Sequence, residues 1–173
     1  MAHFVKIDSP ITSTFFTVAL TRRGDDLLLR EIERLRQAVR FTRYERPFQI
    51  DAWVVLPDHL HAIWTLPAED GDFSTRWRLI KARFSAGLPK ARRGDSPDMP
   101  GESGIWKRRF FERHLRSAED FAAHMRFCKS DPVKHGLVEH ASDWPFSSFQ
   151  RPKPQLPVLQ LPVLQLPVLQ LTG

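Results

Sequence analysis

One cysteine and one tyrosine among 173 residues is a meagre supply, and each scarcity excludes something. A lone Cys128 cannot close an internal disulfide, which sets aside stapled secreted scaffolds and suits a reducing cytoplasm. The lone Tyr44 leaves a single phenolic hydroxyl, in the connection after the first expected helix. No run of about 18 apolar residues occurs, so no membrane span is expected. The opening MAHFVKIDSPITS lacks the basic-then-apolar order of a secretory signal. Acids are the minority charge: 20 Asp and Glu against 26 Lys and Arg leave a net +6. That balance favours a polyanionic partner, nucleic acid or an acidic membrane surface, and charge alone leaves the two open. What is present in ordinary amount is hydrophobic residues, at 42%, enough for one domain with a real core.

That domain is expected over residues 1–150. From 151 to 173 the chain changes character: the pentad Leu-Pro-Val-Leu-Gln occurs at 156–160, 161–165 and 166–170. Proline every fifth residue forbids a regular helix and interrupts a sheet ladder, so an extended, disordered tail is expected. Within the domain, 15–20 (FFTVAL) is aromatic and β-branched, hence a strand. Residues 25–41 carry Leu28, Ile32, Leu35 and Val39 at helical spacing, with Asp25 and Asp26 in the first turn. Strands are expected at 48–56 and 60–66, joined tightly through Pro57-Asp58-His59. A second helix capped by Ser74 buries Trp77, Ile80, Phe84 and Leu88. A Gly/Pro-rich loop (90–104) precedes a strand at 105–115, and Ser117 with Asp120 forms a capping box for a helix ending before Pro132. The order β-α-β-β-α-β-α with a central hairpin predicts an α+β, ferredoxin-like antiparallel sheet with helices packed on one face.

Asp58-His59-Leu60-His61 is the most informative tetrapeptide. Residues two apart on a strand share a face, so His59 and His61 project together while Leu60 enters the core. Two such imidazoles can bind a divalent metal if a third ligand arrives from elsewhere; they can equally be a surface feature. A second layer is basic. Between 76 and 93 lie Arg76, Arg78, Lys81, Arg83, Lys90, Arg92 and Arg93 and no acid. With Trp77, Ile80 and Phe84 turned inward, Arg76, Lys81 and Arg83 are expected toward solvent. Lys107, Arg108 and Arg109 sit beside Trp106 and Phe110. Cations release counterions from phosphates and aromatics stack on unpaired bases, so these residues suit single-stranded or hairpin DNA. The bland reading is a solvated helix face over core aromatics.

Four ordered blocks carry a resemblance: AWVVLPDHLHAIW at 52–64, FSTRWRLIK at 73–81, GIWKRRF at 104–110, and DPVKHGLV at 131–138 followed by Asp143-Trp144-Pro145. Over roughly residues 10–150 the chain resembles the REP-associated tyrosine transposases, within the wider His-hydrophobic-His (HUH) single-strand transposases and nucleases. The resemblance implies cleavage of single-stranded DNA beside a hairpin by a tyrosine hydroxyl, through a 5′-phosphotyrosine. It also implies Mg²⁺ or Mn²⁺ held by the pair that His59 and His61 match. Covalent catalysis of that kind conserves the phosphodiester for rejoining while the metal offsets charge on phosphate oxygens.

The chain departs from the family at the nucleophile. Where the resemblance places tyrosine, the sequence reads His124-Met125-Arg126-Phe127-Cys128-Lys129-Ser130-Asp131-Pro132, and Phe127 has no hydroxyl to esterify. Phe127 and Asp131 are four apart on one helical face, with His124 above them. The family has an amide at the Asp131 position, and a carboxylate there is either a third metal ligand or a helix-end cap before Pro132. The leading reading is a metal-dependent, transposase-type protein that processes single-stranded or hairpin DNA, monomeric or homodimeric, with its nucleophile replaced. A catalytically inactive hairpin-DNA binder of the same fold is the alternative. An RNA-binding ferredoxin-like module explains the charge and leaves the paired histidines without a role.

Overall fold

Alternation along the strands sets the architecture. In a computed structural model describing residues 13–89 and 104–150, β1 (Ser13–Ala19) is a central strand. It pairs antiparallel with β3 (His59–Thr65), from Ser13↔Thr65 to Ala19↔His59, and with β4 (Phe111–His114), from Thr14↔His114 to Thr17↔Phe111. β2 (Gln49–Val55) pairs with β3 on its other side, which makes the order β2-β3-β1-β4, antiparallel throughout. The β2–β3 turn closes with the Leu56 N–H donating to the His59 carbonyl at 2.8 Å. The expected α+β, ferredoxin-like sheet is the one observed. The expected loop over 90–104, apart from Gly104, and the repeat tail lie outside the described residues, as do Lys90, Arg92 and Arg93.

Phe16, Val18, Leu60, Ala62 and Trp64 point to one face, where α2 (Ile32–Glu45) and α3 (Phe73–Ala86) lay down Leu35, Val39, Trp77, Ile80 and Phe84. Phe15, Ala52, Val54 and Ile63 point to the other, covered by α4 (Ala118–Lys134) through Cys128 and by Trp144. The expectation of helices on one face thus describes α2 and α3, while α4 forms a layer on the opposite face. The run Val54-Val55-Leu56, buried without alternation, records that both faces are covered.

The elements differ from the sequence reading at three places. The first helix is broken at Glu31 (φ −106°, ψ 28°) into α1 (Leu27–Arg30) and α2. The cap of α3 is Asp72, not Ser74: its carboxylate accepts the Thr75 N–H at 2.9 Å. The strand expected at 105–115 is regular only over β4; before it the chain meets β1 through single bonds, such as Lys107 N–H to the Ala19 carbonyl.

The difference that matters for chemistry is the end of α4. Ser117 caps its start as expected, accepting the Asp120 N–H at 3.0 Å. The helix then runs through Pro132 instead of stopping before it. Pro132 forfeits the one bond its own N–H would give to the Cys128 carbonyl, and the turn beyond it is still closed by His135 N–H to Asp131 O and Leu137 N–H to Pro132 O. Gly136, at φ +66°, supplies the left-handed residue that ends it. The extra turn sets Asp131 and His135 one above the other.

Candidate functional site

The central strand β3 presents His59 and His61 to the face under α4, and α4 answers with Asp131 and His135. Asp131 Oδ2 lies 3.2 Å from His61 Nε2, 3.6 Å from His135 Nε2 and 3.9 Å from His59 Nε2. One ligand atom each from His59, Asp131 and His135 falls within 4.8 Å of the others, close enough to share an ion. Asp131 Oδ2 is buried, and despite the nearby imidazoles it has no aligned hydrogen-bond partner. A buried carboxylate oxygen left in that condition is costly, and a cation is the partner that suits it.

The imidazoles are oriented from behind. Asp58 Oδ1 lies 2.6 Å from His59 Nδ1, so a proton there is donated to the carboxylate and Nε2 keeps its lone pair facing Asp131. Thr17 on β1, opposite His61 in the ladder, holds His61 Nδ1 at 2.8 Å through a hydroxyl that can donate or accept. Burial pushes the His59 pKa down, more than Asp58 pulls it up, and His61 adds to the depression. Burial raises the Asp131 carboxyl, but the neighbouring His61, His135 and His59 outweigh it and hold it below the usual range. Asp58 behaves likewise, with burial outweighed by His59 and the Gly24 N–H.

These shifts have one sign for stability. His59 resists protonation in the folded state, so its contribution is complete above 6.5 and is lost as pH falls below that ordinary value. Asp58 and Asp131 stay ionised in the fold, so theirs is present above 3.8 and lost as pH falls through their lowered values. The metal-free protein is therefore expected to melt progressively lower as pH drops from about 6.5. His59→Gln should remove the upper part of that slope in thermal melts across pH; an unchanged slope would show that His59 is not held neutral.

Phe127 lies beside this cluster, 37% exposed. Its ring meets His61 edge-on at 5.1 Å and Phe15 at 5.8 Å, with the Lys134 ammonium 5.0 Å from its centre. No other side chain nearby supplies a good nucleophile. Burial, with Asp131 adding to it, pushes the Cys128 thiol up to about 12, and Ser130 donates its hydroxyl to the Phe127 carbonyl. Tyr44 stands 88% exposed on α2, across the sheet. His124, expected above Phe127, turns its Nδ1 to the Asp120 carbonyl, 2.8 Å away. His135 is the residue that ligand counting on the sequence missed; its signal was the four-residue spacing from Asp131, hidden by the helix end expected at Pro132.

The basic residues divide. Arg76 does not face solvent: it is 0% exposed, and its guanidinium donates to both Asp70 carboxylate oxygens and to the carbonyls of Arg46, Pro47, Asp70 and Asp72. Its fork fits the converging carbonyls at the α2–β2 corner, which helical periodicity does not register. Arg83 is committed to Thr42 and Glu45, and Lys81 to the Lys107 carbonyl and the Phe110 ring. Arg78, Arg108 and Arg109 are exposed, and Lys107 is half-buried.

A sheet of this order, carrying a His-x-His pair on a central strand under the last helix, is the arrangement that the resemblance to the HUH transposases and nucleases implies. The chain is 44% identical over 137 residues to a REP-associated tyrosine transposase of Escherichia coli K12, covering 79% of this chain and 76% of that one. It is 40% identical over 139 residues to a Haemophilus influenzae protein assigned provisionally to the same family, covering 79% of each. Among solved structures, a REP-associated tyrosine transposase bound to a REP hairpin matches with a TM-score of 0.70 and 41% identity, over 86% of this chain and 83% of that one. A Deinococcus radiodurans chain provisionally described as a transposase shares the fold alone, at TM-score 0.50 and 15% identity over 73% of this chain and 95% of that one. No protein-family model matches. The chain belongs to the REP-associated tyrosine transposases. Among the described residues, no helix is long and apolar enough to cross a membrane.

Proposed function

We propose that this chain binds hairpin DNA with a single-stranded flank, in the manner of its family, and forms no covalent link to it. The observation that carries the reading is the junction of an oriented His59–His61–Asp131–His135 cluster with a phenylalanine where the resemblance calls for tyrosine. The cluster is suited to a divalent cation: its donors are imidazole nitrogens and one carboxylate, a mixture that favours Mn²⁺ over the more oxygen-demanding Mg²⁺. When bound there, such an ion would supply Lewis-acid polarisation of a phosphate oxygen. Asp58 and Thr17 would keep the two strand imidazoles aimed, and Phe127 would pack against the same phosphate's nucleotide without attacking it. Arg78, Arg108 and Arg109, with Lys107, are the remaining expected basic residues available for phosphates. Action on DNA by a family of this kind goes with a cytoplasmic protein.

The test is calorimetric titration of the metal-free protein with Mn²⁺, against His61→Ala and Asp131→Ala. Loss of a direct ligand should weaken binding by at least the 10–100-fold typical of supporting residues alone. Asp131→Asn, which restores the family's amide, should retain part of the affinity. Equal affinity in all the variants and the parent would remove the metal site.

A further inference from the structure

We propose that the cleft between α2 and the edge strand β2 binds single-stranded DNA, taking backbone phosphates on Arg40 and Arg43 and an unpaired base against Trp53. The cleft encloses about 360 Å³ between Arg36, Arg40 and Arg43 of α2 and Ile50, Trp53 and Phe146 opposite. That is the small end of ligand pockets, the scale of one nucleotide. Its lining holds three arginines and no carboxylate. Positions 36, 40 and 43 share one side of the helix, so the cations form a row along the cleft. Arg36 is paired with Glu33, and Arg43 gives its Nε to the Phe48 carbonyl while keeping its terminal nitrogens; Arg40 is exposed and has no partner among the described residues. Neighbouring turns of α2 present Phe41, 62% exposed, and Tyr44, so the helix interleaves cations with aromatics.

The apolar side of the cleft is rigid. Trp53 lies parallel to Trp77 at 6.2 Å, and Trp77 stacks on the buried Trp64 at 4.2 Å, a ladder of three indoles ending at the cleft. A fixed indole beside a row of arginines is what stacking on a base with neutralisation of its phosphates requires. A peptide strand is not accommodated at the neighbouring edge of β2. That edge is already taken by the Val55 N–H to Phe146 O bond and the Ser148 N–H to Trp53 O bond, each 2.8 Å. The cleft opens on the α2–α3 face of the sheet and the histidine cluster on the α4 face, so the two sites are separate. Only the choice of DNA as the polyanion rests on the function proposed above.

Indole fluorescence of the full chain should be quenched by a short oligothymidylate, and Trp53→Phe should abolish most of the quench. Arg40→Glu/Arg43→Glu should weaken oligothymidylate binding at least tenfold and lower the salt slope by about 1.4, two phosphates at about 0.7 each. Arg40 is exposed and unpaired among the described residues, and replacing Arg43 removes its one bond to the Phe48 carbonyl, so the melting temperature should fall slightly and equally in Arg40→Glu/Arg43→Glu and in Arg40→Gln/Arg43→Gln, which repeats the test without added negative charge. A bare hairpin should bind the parent and these variants alike, and only a hairpin with a single-stranded flank should distinguish them. Parental affinity and slope in the charge variants would overturn the cleft assignment, as would equal competition by polyglutamate or tighter binding of oligouridylate. If the parent binds oligothymidylate in the cleft but no hairpin, the inference stands and the hairpin reading falls.

Discussion

Phe127→Tyr should turn a binder into a cutter. With Mn²⁺ and a flanked hairpin, the variant is expected to leave a 5′-phosphotyrosine adduct that the parent chain does not form. The gain should be on the order of 10⁴-fold or more, the scale on which enzymes lose rate when a nucleophile is removed. The fold has room for the change. The Phe127 ring is partly exposed, so the added hydroxyl need not be buried without a partner. The ring is held in place by edge contacts with Phe15 and His61, so the phenol would start beside the histidine cluster. Lys134, 5.0 Å from the ring centre, favours the ionised phenol. Appearance of the adduct on a denaturing gel, dependent on both Mn²⁺ and His61, is the expected result; binding without any adduct would show that more than the hydroxyl has been lost.

Arg76→Ala is expected to cost about 3 kcal/mol of folding stability, the scale for breaking a buried charged network. Removing it leaves the carbonyls of Arg46, Pro47 and Asp72 without their shared donor in a corner where Phe48 also packs under the guanidinium. Arg76→Lys should recover little of the loss, since one ammonium cannot replace a fork serving both Asp70 oxygens and several carbonyls. Urea unfolding monitored by tryptophan fluorescence measures this directly. A loss below about 0.5 kcal/mol, the range of ordinary surface changes, would contradict the structural role.

The same residue shows where reading the sequence stops working. Strand alternation was enough to bring His59 and His61 to one face, and the Ser117–Asp120 box was enough to start α4. Both are local rules with one outcome. Arg76 sits on α3 beside Trp77, and only the meeting of the α2 end with the loop before α3 creates carbonyls for it to serve. Helix α4 ran past Pro132 because the bonds from His135 and Leu137 closed the turn beyond it in spite of the one N–H that proline lacks, and that extra turn brought His135 to the histidine–aspartate cluster. The α2 arginines at 36, 40 and 43 escaped the sequence reading, because helical spacing alone does not distinguish them from a solvated face. What gave them a partner surface was Trp53 on β2 and the strap from Pro145 to Gln150, contacts between segments about 100 residues apart.

Recognition of a flanked hairpin is expected to persist in this chain where covalent chemistry has gone. It is tested most directly by incubating the unmodified chain with Mn²⁺ and a labelled flanked hairpin, then resolving one half of the sample on a native gel and the other after denaturation. The expected result is a shifted complex on the native gel and, after denaturation, free uncut DNA with protein of unaltered mass. A covalent adduct in the unmodified chain, mapping by mass spectrometry to Tyr44, Ser130 or Cys128, would contradict it.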